Sequence, residues 1–153
     1  MGLFDAIEIS GSALSAERVR MDVTSENLAN AQTTRTASGQ PYQRQEVVLQ
    51  QAGSGDFSAT LAGAMGSQPA AAAAAKPGGG VQVAAIVADK TPDQLIYNPG
   101  SPDADAQGYV KMPNVNTVTE MTDLISESRA YQSSVTAMQT AKSMFNSTLS
   151  LLK

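Results

Sequence analysis

The chain holds few residues able to do chemistry, and nearly all of them are carboxylates. In Asp103-Ala104-Asp105-Ala106-Gln107-Gly108, oxygen donors alternate ahead of a glycine, which is how a calcium loop begins. Such a loop needs a bidentate acid at its twelfth position. Asn114 stands there, directly behind Pro113, and no helical pattern leads into the run, so a solvated acidic turn is expected. Ser150 and Lys153 have the Ser-x-x-Lys spacing of some serine hydrolases, but they fall on a terminal turn whose fraying would spoil the geometry a general base requires. Gly78-Gly79-Gly80 lacks the Gly-Lys-Ser/Thr ending of a phosphate loop and reads as linker. Paired carboxylates alone suffice for sugar hydrolysis; Asp56, Asp89, Asp93, Asp103 and Asp105 nevertheless lie in predicted turns, with few aromatic rings to line a groove. With neither Cys nor His, thiol nucleophiles, imidazole bases, disulfides and the usual zinc, copper and haem ligand sets are gone. The expectation is a protein with no enzymatic activity, no metal and no cofactor.

Composition points to association instead. The 153 residues carry a net charge of -4, which leaves no basic surplus for nucleic acid or an anionic membrane. Only 16% of the residues are charged and 5% aromatic, so anchors for one sizeable core are scarce and a long, thin or multi-chain object is expected. Asp5, Glu8 and Glu17 interrupt the first residues where a cleaved secretory signal would be apolar, and no apolar run is long enough to span a bilayer.

Two long helices are predicted at the ends. Ile7, Leu14, Met21 and Leu28 recur every seven residues and predict a helix over 3–30, with Arg18 and Asp22 placed to pair across one turn. Over 116–152 two series interleave: Leu124, Tyr131, Met138, Phe145 and Leu152, and three residues earlier Met121, Ser128, Val135, Lys142 and Leu149. Ser128 and Lys142 interrupt the second series. Thr117 followed three residues later by Glu120 reads as a capping box. Between the helices, alternation predicts strands near 42–49 and 81–88 and a third at 94–97, while the Ala/Gly/Pro-rich stretch 63–80 reads as a loop or spacer. The fold class is therefore α+β, with terminal helices pairing as a coiled coil around a small β-rich middle segment. Its parts are a helix and following loop at 1–36, a middle domain at 37–115 and a second helix at 116–153.

The run Ser10 to Thr34, with Asn27-Leu28-Ala29-Asn30 at its centre, resembles the amino-terminal signature of the bacterial flagellar rod and hook family of axial proteins. The stretch Asn98 to Asp105 and the block Gly108-Tyr109-Val110-Lys111-Met112-Pro113-Asn114-Val115-Asn116 resemble the proximal-rod type within it. Glu120 to Ile125 and Arg129-Ala130-Tyr131-Gln132 resemble that type's carboxy-terminal helix, whereas 63–80 has no strong match. The resemblance implies a structural protein, made in the cytoplasm, exported through the flagellar type III apparatus without a cleaved signal, and built into the periplasmic rod of the basal body. It also implies self-association and contacts with other rod proteins, the ring-to-rod adaptor FliE and distal-rod subunits. The family's interface positions correspond to Leu14, Met21, Leu28, Leu124, Tyr131, Met138 and Phe145. Periodicity selects these too, and adds Ile7, Met121, Val135 and Leu149 to the expected subunit interface. Another rod or hook-basal axial subunit, or a soluble coiled-coil adaptor or export chaperone, are the alternatives.

Overall fold

The computed structural model describes residues 3–52 and 79–151; the spacer reading of 63–80 therefore lies outside the described residues except for its last two. The element order is α1 (Leu3–Ala29), β1 (Gln45–Gln51), β2 (Val81–Ala88), β3 (Gln94–Tyr97), β4 (Tyr109–Met112) and α2 (Thr117–Leu151). Both helices and the first three strands fall where periodicity predicts them. The fourth strand was not expected. At four residues it is too short to show alternation, and its pairing with β3 depends on the turn that precedes it.

The 27 residues of α1 and the 35 of α2 pack against each other in antiparallel fashion. Asn27 meets Glu120, Thr24 meets Glu127, and Gly11 lies near Met138. At about 1.5 Å per residue α2 is a rod of about 50 Å, so much of its length extends past any compact core. The buried apolar residues are mostly small or few: Ala16, Val23, Ala31, Tyr42, Val110, Val115 and Ala141. Of these, Ala31, Tyr42 and Val115 form one contact cluster where the helix pair meets the strands.

The strands form two separate antiparallel hairpins, β1 with β2 and β3 with β4. In the first, Gln45 opposes Ala88 and Gln51 opposes Val81, with a bulge between Val48 and Leu49. Gln45, Val47 and Leu49 are half-buried while Glu46, Val48 and Gln50 are exposed, so one face of the hairpin lies on α1. Its far end is pinned by Ser12, whose Oγ accepts the Val81 N–H at 3.0 Å and donates to the Ile9 carbonyl at 2.8 Å. Gly80 makes this approach possible, because a Cβ there would collide with Ser12 Oγ and sit 2.7 Å from Ser12 Cβ.

The second hairpin is closed by the acidic run Asp103 to Gly108. Asp105 Oδ1 accepts the N–H groups of Gln107 and Tyr109, both at 2.9 Å. Gly108 takes a φ of +84° beside the Tyr97 ring, which meets Tyr109 edge-on at 5.3 Å. Among the described residues no group of three acids converges to hold a metal ion, and no helix is long and apolar enough to cross a membrane.

Two local expectations are corrected. Asn116, not Thr117, caps α2: its Oδ1 accepts the N–H groups of Val118 at 3.0 Å and Thr119 at 3.4 Å. Glu120 consequently takes no part in a capping box, and its carboxylate turns into the protein. On α1 the ion pairs run through Arg20, to Glu17 at 3.2 Å and to Glu127 at 3.4 Å, rather than through Arg18 and Asp22. Arg20 faces the second helix, and a cation there has a buried acid to meet.

Candidate assembly interface

The most highly organised site is the junction of both helices with β1, and Asn27 is its centre. Asn27 is 1% exposed. Its Oδ1 accepts the Tyr42 hydroxyl at 2.9 Å and the Gln45 N–H at 2.8 Å; its Nδ2 donates to the Gln45 carbonyl at 2.8 Å and to Glu120 Oε2 at 3.2 Å. One side chain thus ties the last turn of α1 to the tyrosine before β1, to the first residue of β1 and to the first turn of α2. The other carboxylate oxygen of Glu120 accepts from Arg44 Nε at 2.6 Å. Arg44 N in turn donates to Asn114 Oδ1 at 3.2 Å, so the block after β4 joins the same network.

These contacts set the charge states. Glu120, with its hydrogen bond, raises the Arg44 pKa further. Burial pushes the Tyr42 hydroxyl to about 12, aided by the negative fields of Glu26 and Glu120, so it remains a donor to Asn27 at any physiological pH. The Arg44–Glu120 pair holds the residue before β1 against the first turn of α2, and the Asn27–Glu120 bond ties the two helices at the same point.

One turn pair along, Glu127 is 4% exposed. Its Oε1 accepts the Thr24 hydroxyl at 3.2 Å and lies 3.4 Å from Arg20, while Oε2 is buried without a hydrogen-bond partner. Burial raises its pKa, opposed by the Thr24 hydrogen bond and by Arg20. Glu120, Glu127, Ser134 and Ala141 are spaced by seven, and three of the four are buried. Together with half-buried Leu124, Tyr131, Met138 and Phe145 they form the seam that α2 presents to α1.

Periodicity selects the second of these series and, beside it, a set that the helix pair does not bury in its own seam. Of Met121, Ser128, Val135, Lys142 and Leu149, Met121 is 53% and Leu149 48% exposed, Lys142 is exposed and Val135 half-buried. Counting apolar residues could not select a series that begins with two glutamates. Ile7, Leu14, Met21 and Leu28 are all half-buried, beside a seam that is centred on Ala16, Val23 and Asn27. The remaining motif residues divide by role. Asn30 finishes α1, its Nδ2 donating to the Glu26 carbonyl and its Oδ1 accepting from Thr33. Leu28 is half-buried and Ala29 exposed, Gly108 and Tyr109 shape the second hairpin, and Pro113 is fully buried. Asn114 binds Arg44 N while its Nδ2 is buried without a partner.

Outside this seam a second set of large apolar groups is uncovered: Val118, Met121, Ile125 and Met144 on α2, and Leu95, Ile96 and Tyr97 on β3. The chain is similar in sequence to known proteins. A family model described as flagella basal body rod protein matches residues 7–35, and one described as flagellar basal body rod FlgEFG protein C-terminal matches 106–151. The chain is 42% identical over 151 residues to the flagellar basal-body rod protein FlgC of Escherichia coli O6:H1, covering 99% of this chain and 98% of that protein. It is 43% identical over 157 residues to the FlgC of Bacillus subtilis, with both chains covered in full. It is 41% identical over 159 residues to that of Borreliella burgdorferi, covering 100% and 99%. The chain belongs to the FlgC family of flagellar basal-body rod proteins.

As a FlgC-family chain it is a structural, non-catalytic rod subunit of the flagellar basal body. The two matched spans hold the two sides of the junction: Thr24 and Asn27 in the first, Asn114, Glu120 and Glu127 in the second. The two helices of this chain are therefore joined by buried polar bonds at their strand-side ends. On its outer face α2 leaves Val118, Met121, Ile125 and Met144 uncovered.

Proposed function

We propose that the chain is a proximal-rod subunit that enters the tube through the outer faces of α1 and α2 and carries torque from the membrane ring to the distal rod and hook. The observation that carries this reading is the exposed apolar face of α2, where Val118, Met121 and Ile125 follow one another at helical spacing with exposures of 71%, 53% and 54%. An uncovered stripe of that kind is costly in water and is relieved when neighbouring helices cover it. The interface expected from the sequence, Ile7, Leu14, Met21 and Leu28 with Met121, Leu124, Tyr131, Val135, Met138, Phe145 and Leu149, divides in this reading: Leu124, Tyr131, Met138 and Phe145 hold the two helices of one subunit together, and Met121 and Leu149, exposed on α2, meet the neighbours. Copies of this chain, other rod proteins, the adaptor FliE and distal-rod subunits are its neighbours. The polypeptide is exported by the flagellar type III apparatus and assembles in the periplasm. Its three parts, 1–36, 37–115 and 116–153, divide the work into axial helix, middle domain and axial helix.

Met121→Asp tests the interface, since a charge at a solvent-facing site does not disturb the isolated chain but is buried unpaired in a rod. The expected result is a stably accumulated, exported protein, no rod incorporation and loss of motility in a strain that depends on it. Normal motility with both Met121→Asp and Leu149→Asp would remove the outer face from the interface. Recovery of the wild-type chain only from cytoplasm, and never with extracted basal bodies, would favour an adaptor or chaperone.

A further inference from the structure

Each hairpin has only two strands, which leaves both of its edges without a neighbouring strand. In an antiparallel pair, successive residues direct their backbone groups alternately toward the partner strand and away from it. The Asp89 N–H donates to the Arg44 carbonyl at 2.7 Å, so the alternation points the groups of Ile86 and Ala88 away from β1. Likewise the Asn98 N–H donates to the Gly108 carbonyl at 2.9 Å, so those of Leu95 and Tyr97 point away from β4. Other outward positions are taken: Gln45 by Asn27, the Val81 N–H by Ser12, and Tyr109 by Asp105. Ile86, Ala88, Leu95 and Tyr97 have no such cover; the four side chains are exposed, as are Val87 and Ile96 between them. Edges of this kind are ordinarily guarded by charge or proline, yet neither β2 nor β3 contains a charged residue, a proline or a glycine.

The two edges fit each other. Laid antiparallel, Ile86 opposes Tyr97 and Ala88 opposes Leu95, each pair exchanging both backbone bonds. The same register puts Lys90 opposite Asp93, opposite charges that form no ion pair with any of the described residues. One chain cannot close this register on itself, because the loop would be Thr91-Pro92 alone. Two-residue hairpin loops need a positive φ, which β-branched Thr resists and Pro forbids, and no described residue other than glycine has one. Instead the Thr91 N–H and hydroxyl both donate to Asp89 Oδ1, at 2.9 and 2.7 Å, and turn the chain out of line after β2.

We propose that the open edge of β2 receives β3 of a second copy of this chain as a third, antiparallel strand, with Lys90 of one copy beside Asp93 of the other. The pairing rests on the assembly reading above and adds a backbone contact to its helix contacts. Because the two edges differ, each copy offers β2 to one neighbour and β3 to another. Such head-to-tail contacts propagate along an open assembly instead of closing a dimer.

The chain has no cysteine, so introduced thiols report the contact without background. Val87→Cys and Ile96→Cys chains, differently tagged, are mixed and oxidised with diamide, in concentrated solution and in basal bodies extracted from cells that make both. The expected product is the mixed disulfide dimer, in excess over either homodimer. Ile86→Pro, added to the Val87→Cys chain, removes one outward N–H and spares the bonds to β1; about tenfold less mixed dimer is expected. Lys90→Glu in the same chain keeps the fold and is expected to lower the yield about threefold, restored by Asp93→Lys in the Ile96→Cys chain. A mixed dimer in basal bodies alone also supports the pairing, since the rest of the rod then brings the edges together. Homodimers in equal yield in both settings, or a mixed dimer indifferent to Ile86→Pro and to the charge exchange, overturn it. So does a double cysteine variant that closes only within the monomer. A mixed dimer in solution that is missing from basal bodies containing both chains overturns its place in the rod. Basal bodies that lack the wild-type chain strike instead at the assembly reading, and the solution mixture then decides the pairing.

Discussion

The two ends of the helix pair are held by different physics. Beside the strands, Asn27, Glu120, Arg44, Tyr42 and Gln45 interlock through buried hydrogen bonds that join elements far apart in the chain. Toward the other end the hydroxyls turn back on their own helices. Ser10 bonds the Ala6 carbonyl, Thr136 bonds Gln132, Thr140 bonds Thr136, and Thr148 bonds Met144. Among the described residues only the small Ala16 and Ala141 are fully buried there, with Leu14, Met138 and Phe145 half-buried beside them. A hydroxyl satisfied within its own turn makes no demand on a neighbour, and half-buried apolar contacts specify position less sharply than buried polar bonds. The strand-side end therefore sets register, and the far end sets it less sharply.

Substitutions that open the strand-side end should sharpen this contrast most. Asn27→Leu removes the four bonds that Asn27 makes and takes a partner from the Gln45 backbone groups, the Tyr42 hydroxyl and Glu120 Oε2, while Arg44 stays on Glu120 Oε1. With orphaned buried groups at about 1–3 kcal/mol each, a loss of about 4 kcal/mol or more is expected in urea unfolding. Leu14→Ala, at a half-buried site toward the far end, should cost about 1–2 kcal/mol by the same measurement. Equal losses would abolish the distinction between the ends.

Gly80→Ala tests the pin between the first hairpin and α1. The added methyl group meets Ser12, and overpacking of that kind costs about 1–3 kcal/mol. The expected result is a lower urea midpoint, with faster amide exchange at Val81 as its bond to Ser12 lengthens.

The smallest effect, and the one with opposite signs in two regions, is on pH dependence. Glu127 is buried and its pKa is raised above 4.5, so the native chain holds this proton more tightly than the unfolded chain does. Stability should fall as pH rises from about 4.5 through the raised folded value and then level off, and Glu127→Gln should remove that fall. Asp105 lies exposed in its turn, and the N–H groups of Tyr109 and Gln107 hold its pKa below 3.8. Its contribution is present above 3.8 and lost as pH falls through the folded value, so Asp105→Asn should flatten the acid side. Unfolding midpoints measured across pH for both variants check the two signs.

Much of this architecture was legible beforehand. Apolar repeats located both long helices because a helix this long cannot hide its face from the sequence, and alternation located β1 to β3. The fourth strand escaped because four residues behind a glycine turn carry no period. The cap shifted by one residue because Asn116 and Thr117 are both competent and only backbone geometry chooses between them. At the site, the Asn27 motif was recognised by resemblance, yet its partners were not visible, since Tyr42, Gln45 and Glu120 reach it only after the chain has turned twice.

The amino-acid sequence by itself determined that the molecule would be two long helices around short strands, without the residues for thiol or imidazole chemistry. It did so through repeats and omissions, which are local properties. Tertiary structure alone decided that the seam would run through Glu120 and Glu127 and leave Met121 and Ile125 outside. Whether a glutamate faces water or the interior depends on a partner placed elsewhere in the chain, here Arg44, Asn27, Thr24 and Arg20, and no periodicity records that.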